Sequence, residues 1–151
     1  MNRVASPACA RGFSLVEVLV AIVVLSIGLL GLAALQVSGL RVGQSSFYRA
    51  QAAQLATDMA DRMRANFGGA RDYDLALNEA TPTCSLADPP DVRTRNCDLA
   101  EWRARLRTLP GGNGAVQIDA DLVTVTVQWD DSRGGGATDQ TFELVTRLWG
   151  N

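Results

Sequence analysis

Histidine and lysine are both absent from this chain of 151 residues, so all 14 of its basic side chains are arginines. Without histidine there is no Ser-His-Asp or Cys-His pairing for nucleophilic catalysis, and no His-containing zinc site. A surplus of positive charge is missing too. The 14 basic and 16 acidic residues leave a formal net charge of -2, which offers nucleic acid no broad basic field. No segment resembles a P-loop, a nucleophile elbow or a catalytic dyad, and Ser14 and Ser26 lie in apolar surroundings without a base. The expectation is a non-enzyme that needs no cofactor and no metal. Proline is scarce, and Pro7, Pro82, Pro89, Pro90 and Pro110 leave residues 8–81 without one. A very long helix is therefore permitted in that stretch.

What the chain does have is one long apolar block, from Phe13 to Leu35, whose only charge is Glu17. As a helix it spans about 34 Å, slightly more than a hydrocarbon core of roughly 30 Å. Arg3 and Arg11 precede it with no acid, so the N-terminus is expected to stay cytoplasmic and the rest to be exported. Arg41 and Arg49 on the far side oppose that charge argument. A secretory signal peptide has an apolar region of only about 7–15 residues, and no small-x-small site ends this block. A plain signal anchor fits the length better. Neither explains a carboxylate inside the segment, where insertion costs about 2.5–3.5 kcal/mol, so Glu17 points to function.

Gly12-Phe13-Ser14-Leu15-Val16-Glu17, followed by the apolar tract, resembles the class III signal of type IV prepilins and type II secretion pseudopilins. The resemblance implies that a prepilin peptidase cuts between Gly12 and Phe13 and methylates the new amine of Phe13. It also implies that Glu17, the fifth residue after the cut, serves assembly. Residues 1–12 would then be a leader, 13–35 a transmembrane or filament-core helix, 36–67 its amphipathic continuation and 68–151 a periplasmic head. Loss of the leader removes Arg3 and Arg11, taking the net charge from -2 to -4, and removes Cys9. Cys84 and Cys97 remain as an even pair, which reads as a disulfide in an exported protein. Closing that loop of about 14 residues would contribute on the order of 3 kcal/mol. Free thiols or half of a metal site are the alternatives, the latter lacking any partner Cys or His.

Past Leu35 the pattern becomes amphipathic, with Tyr48, Ala52, Leu55, Met59 and Met63 on one stripe. Asp58 and Arg62 form an i,i+4 pair, and Gly68-Gly69 is the expected stop of a helix about 54 residues long, roughly 80 Å. Gly28, Gly31, Gly39 and Gly43 lie inside it, and Gly39-xxx-Gly43 has a close-packing spacing. Ala34 stands where major pilins usually have a proline. Residues 70 to 97 read as an irregular connection. Asp98 is then expected as an N-cap with Glu101 as capping-box partner, opening a helix through Leu99, Trp102, Leu106 and Leu109 that Pro110-Gly111 ends. Arg103, Arg105 and Arg107 are expected on its solvated face. Beyond it the period changes to two: Val116 and Ile118, then Val123, Val125, Val127 and Trp129, then Phe142, Leu144 and Leu148 with Val145 and Trp149. The expected fold is α+β, a type IV pilin fold in which a long N-terminal helix packs on a small antiparallel meander.

The N-terminal run, then Arg62–Asn66, the Trp102 helix, Leu109-Pro110-Gly111-Gly112 and Val125–Trp129, are similar to the PilV-type minor pilins, the type IV pilus modification proteins. That resemblance implies a structural subunit that primes pilus assembly with other minor pilins, the major pilin, the prepilin peptidase and an inner-membrane assembly platform. It places the protein in the inner membrane as a single-pass subunit with a periplasmic head, or on the cell surface within a pilus. The alternatives are a minor pseudopilin of type II secretion and an unrelated membrane-anchored periplasmic domain. Asp130, Asp131 and Asp139 in a Gly-rich connection, with Asp119 and Asp121 nearby, raise calcium as a candidate ligand. They lack EF-hand spacing, and acids in hairpin loops are usually solvated turn residues.

Overall fold

Freedom from proline is used in full: helix α1 runs from Leu15 to Ala65, 51 residues, in the computed structural model, which describes residues 12–148. The chain divides into two compact units, Met1–Gly39 and Leu40–Asn151. In the first, every described residue is exposed, including Leu15, Val18, Ile22, Leu29 and Leu35. Its apolar window has a mean hydropathy of 2.9 and nothing covering it. The Ser26 hydroxyl donates to the carbonyl of Ile22 (2.7 Å), so that hydroxyl is satisfied within the helix. Arg3, Cys9 and Arg11 lie outside the described residues.

The second unit begins with the amphipathic part of α1. Ala52, Leu55, Ala56, Met59, Ala60 and Met63 are buried there, and Tyr48 packs at the margin of the same core. The alanines let neighbouring elements approach closely, while Met59 and Met63 fill the gaps between them. After Ala65 the backbone tightens into a 3-10 turn, Phe67–Asp72. Gly68-Gly69 therefore lies inside a helical turn rather than acting as the expected stop.

Helix α2 spans Pro90–Leu106, eight residues earlier at its start than Asp98. Pro90 sits at the first helical position, where a missing N–H costs nothing, and Arg93 donates to the carbonyl of Pro89 (2.8 Å). Two prolines that argued for an irregular segment in fact open the helix. Asp98 is an interior residue, not an N-cap, and the Asp98–Glu101 capping box does not form. The helix ends at Leu106, and buried Leu109 follows in the turn before Pro110. Cys84 and Cys97 are disulfide-bonded, with Cα atoms 4.4 Å apart, tying the preceding loop to α2. Trp102 is fully buried and its indole N–H donates to the carbonyl of Leu55 (2.9 Å), fastening α2 to α1. Burying a ring of that size stabilises the head by on the order of 4 kcal/mol.

Three strands, β1 (Asn113–Asp119), β2 (Leu122–Trp129) and β3 (Gln140–Arg147), form the antiparallel meander in the order β1-β2-β3. Val116 pairs with Val125, and Val125 in turn with Leu144. Val123, Val125, Val127 and Trp129 all face the core, as the alternation requires. Leu148 is buried just past β3, and Trp149 lies outside the described residues. Gly114 is obligatory, since a Cβ there would come within 2.5 Å of the Trp102 ring. Ala120 turns the β1–β2 hairpin at φ 54, the left-handed region that disfavours a side chain. Ala120→Gly should raise stability by about 0.5–1 kcal/mol net of the entropy gained by the unfolded chain, read as a higher thermal midpoint.

Candidate functional site: the N-terminal segment and the arginine clamp

Gly12, Phe13 and Ser14 precede the first turn of α1, and the Ser14 carbonyl accepts the N–H of Glu17 (3.0 Å) and of Val18 (3.3 Å). A Cβ on Gly12 would meet nothing within 4 Å. Among the described residues no packing therefore calls for glycine at this position. Phe13 is 83% exposed, and with Glu17, Val18, Ala21, Ile22 and Leu25 it lines an open groove along the helix. Glu17 lies in the first turn, where the helix dipole favours a negative charge. Among the described residues no cation reaches it. Gly12, Phe13 and Glu17 thus fall within two turns, all exposed, on a helix whose apolar surface is also bare.

In the head, one arginine draws three carboxylates together. Arg62 Nε donates to Asp58 Oδ2 (3.0 Å), Nη1 to Asp98 Oδ1 (3.2 Å), and Nη1 and Nη2 grip both oxygens of Glu101 (2.9 and 3.0 Å). Bidentate grip of this kind is the strongest ion-pair geometry available to a carboxylate. Arg105 adds a second donor to Asp58 Oδ2 (2.7 Å). The Tyr73 hydroxyl donates to Asp98 Oδ2 (2.6 Å) and accepts from the Asn66 amide (3.0 Å). This clamp joins α1, the residues that flank the 3-10 turn, and α2. Hydrogen bonding to Glu101 raises the Arg62 guanidinium further above its ordinary range, and the same bond lowers the Glu101 carboxyl.

Burial, with the Asp98 hydrogen bond adding to it, raises Tyr73 well above the ordinary value of 10.0. Folded Tyr73 therefore keeps its proton at pH values where the unfolded chain has lost it. Its contribution is fully present below pH 10.0 and declines as pH rises through that value. Tyr73→Phe should cost about 1–3 kcal/mol at neutral pH and flatten the alkaline decline, both readable in chemical denaturation at the two pH values. An alkaline decline of unchanged steepness would assign it to another group.

Sequence spacing gave only the Asp58–Arg62 contact; the partners on α2 became visible with the fold. Arg103 is half-buried rather than solvated, donating to the carbonyls of Ala76 (2.8 Å) and Leu77 (3.1 Å) and to Asn113 Oδ1. Arg107 alone of that trio is exposed without a described partner. The acidic loop splits up: Asp131 is 2% exposed and accepts the Ser45 hydroxyl (2.5 Å), and Asp121 meets Arg71 at 3.7 Å. Among the described residues no three Cys, Asp or Glu side chains come together as a metal site.

The arrangement is thus a bare, singly charged apolar helix leading into a small head, without an assembled reactive constellation among the described residues. Comparison with protein families agrees. Residues 8–33 match the family described as the prokaryotic N-terminal methylation motif. Residues 34–103 match the family described as type IV pilin Tt1218, continuing without a gap from the motif. The chain is type IV pilin-like. No curated protein and no solved structure matches it. Pilins are a structural, non-enzymatic family, and the motif in this pilin-like chain implies prepilin-peptidase processing and assembly with other pilins. Motif and apolar helix together fit a membrane-anchored, single-pass protein.

Proposed function

We propose that this pilin-like chain is a minor pilin that primes type IV pilus assembly. In this reading the peptidase cuts between Gly12 and Phe13, Phe13 is N-methylated, and residues 13–35 hold the subunit in the inner membrane with its head in the periplasm. The observation that carries it is the exposed apolar segment from Phe13 to Leu35, with Glu17 as its single charge. A helix that covers nothing within its own chain is one that lipid, and then neighbouring helices, must cover. The disulfide and a head secured by Arg62 suit a subunit that leaves the cytoplasm. Its partners are other minor pilins, the major pilin and the inner-membrane assembly platform.

Deleting the gene and counting surface pili, with secreted exoproteins measured in parallel, tests this reading. Pilus number should fall strongly while secretion stays at its wild-type level. Lost secretion with normal piliation would instead make the chain a pseudopilin of type II secretion. Neither defect would favour an unrelated membrane-anchored domain.

A further inference from the structure

The sheet has one closed edge and one open edge. On the closed side Leu75 and Val116 exchange both backbone bonds at 2.9 Å. Ala76 next to it donates its N–H to Glu79 Oε2 (2.8 Å), and its carbonyl accepts from Arg103 Nη2 (2.8 Å). On the other side, no strand or bridge among the described residues pairs with the outer edge of β3. That edge is eight residues long and carries no proline. Proteins normally blunt such an edge, because its unpaired N–H and C=O groups recruit another strand.

Alternation fixes which groups are open. Val116 uses its backbone on Leu75, so Ala115 and Gln117 face β2, opposite Thr126 and Thr124. Val123, Val125 and Val127 then face β3, opposite Thr146, Leu144 and Phe142. The Leu148 N–H to Asp121 carbonyl bond (3.3 Å) continues the same set. Thr141, Glu143, Val145 and Arg147 therefore turn their backbone groups outward. Arg64 reaches the Arg147 carbonyl at 3.4 Å, so the free groups centre on Glu143 and Val145. On the sheet's outer face Glu143 and Arg147 flank Val145, which is 59% exposed. On the inner face Phe142 and Leu144 remain half-buried, where the facing valines of β2 are buried.

The geometry points to strand addition: β3 receives an antiparallel extended segment of a neighbouring pilin-type subunit that reads acid, apolar, base at alternate residues. From its N-terminus the acid meets Arg147, the apolar residue Val145 and the base Glu143. Any register that sets like charges opposite one another is disfavoured, so the charge pattern fixes the pairing. β3 itself carries this pattern, so a second copy of the chain is the competing occupant that the test must exclude.

A thiol-exchange competition tests the surface independently of any role in pilus priming. The full chain carrying Cys9→Ser and Val145→Cys, in detergent, is equilibrated in a glutathione buffer with two seven-residue peptides. One is Thr-Glu-Thr-Cys-Thr-Arg-Thr, the other its charge-reversed counterpart Thr-Arg-Thr-Cys-Thr-Glu-Thr. Mixed disulfide with the first should exceed that with the second by about tenfold, because pairing raises the local concentration of one thiol beside the other. Adding Glu143→Arg with Arg147→Glu should invert the preference, and Thr124→Cys on the central strand should show none. Equal trapping of both peptides, a preference that survives the charge exchange, or the same preference at Thr124 would overturn the proposal. In the Val145→Cys chain, a covalent homodimer through the introduced thiol that outcompetes both peptides would overturn the choice of occupant.

Discussion

A chain carrying Gly12→Leu should reach the membrane with its leader still attached. Among the described residues a Cβ at Gly12 has nothing within 4 Å, and the head lies in the other unit. Stability of the head should therefore be unchanged. What changes is the fit of the chain to a peptidase that must draw the backbone at Gly12 close to its catalytic groups, where a residue without Cβ is accommodated best. Mature protein should fall by at least about tenfold, the effect of roughly 1.4 kcal/mol of lost transition-state binding. Intact mass spectrometry distinguishes the outcomes, because the unprocessed chain keeps residues 1–12 and has no free, methylated Phe13. A normal mature mass from Gly12→Leu would move the cut elsewhere and remove the basis for the proposed leader.

The parts of this protein most legible from sequence are those in which one periodicity acts over many residues. The α1 stripe from Ala52 to Met63 and the alternation Val123-Val125-Val127-Trp129 each bury one face, and both came out where spacing placed them. The start of α2 was not legible, because Pro89-Pro90 is compatible equally with a loop and with a helix that begins at the second proline. An N-cap role for Asp98 leaves no place for its contacts with Arg62 and Tyr73. Long-range partners of this kind leave no local trace: Arg62 and Glu101 are far apart in the chain and meet only because Trp102 and Leu99 bury α2 on α1. At the N-terminal segment the situation is reversed. Among the described residues the side chains of Phe13 and Glu17 make no hydrogen bond or ion pair that would mark them, and it is the sequence pattern that singles them out.

Glu17→Ala should insert and be processed normally yet fail to support pili. The lone carboxylate is the most costly side chain of the apolar segment, so its removal makes insertion easier by about 2.5–3.5 kcal/mol. No cation in the described chain offsets that cost, and Phe13 lies only four residues before it in sequence. On the proposed processing, Phe13 presents a methylated amine, and neighbouring subunits bring amines of their own. Within a bundle of apolar helices the low dielectric strengthens a pair between Glu17 and a neighbour's amine, so the pair can set the axial register of one subunit against the next. Glu17→Gln separates charge from shape, since it keeps the side-chain volume and a carbonyl acceptor. It should behave like Glu17→Ala if charge is what assembly needs. Three measurements decide the matter: the mature N-terminus by mass spectrometry, the number of surface pili, and co-purification with minor pilins from solubilised membranes. Processing should be unaffected in both variants, while pili and co-purification are lost. Normal piliation with partners retained in Glu17→Ala would mean that the carboxylate is merely tolerated in the helix, and the register mechanism would be wrong.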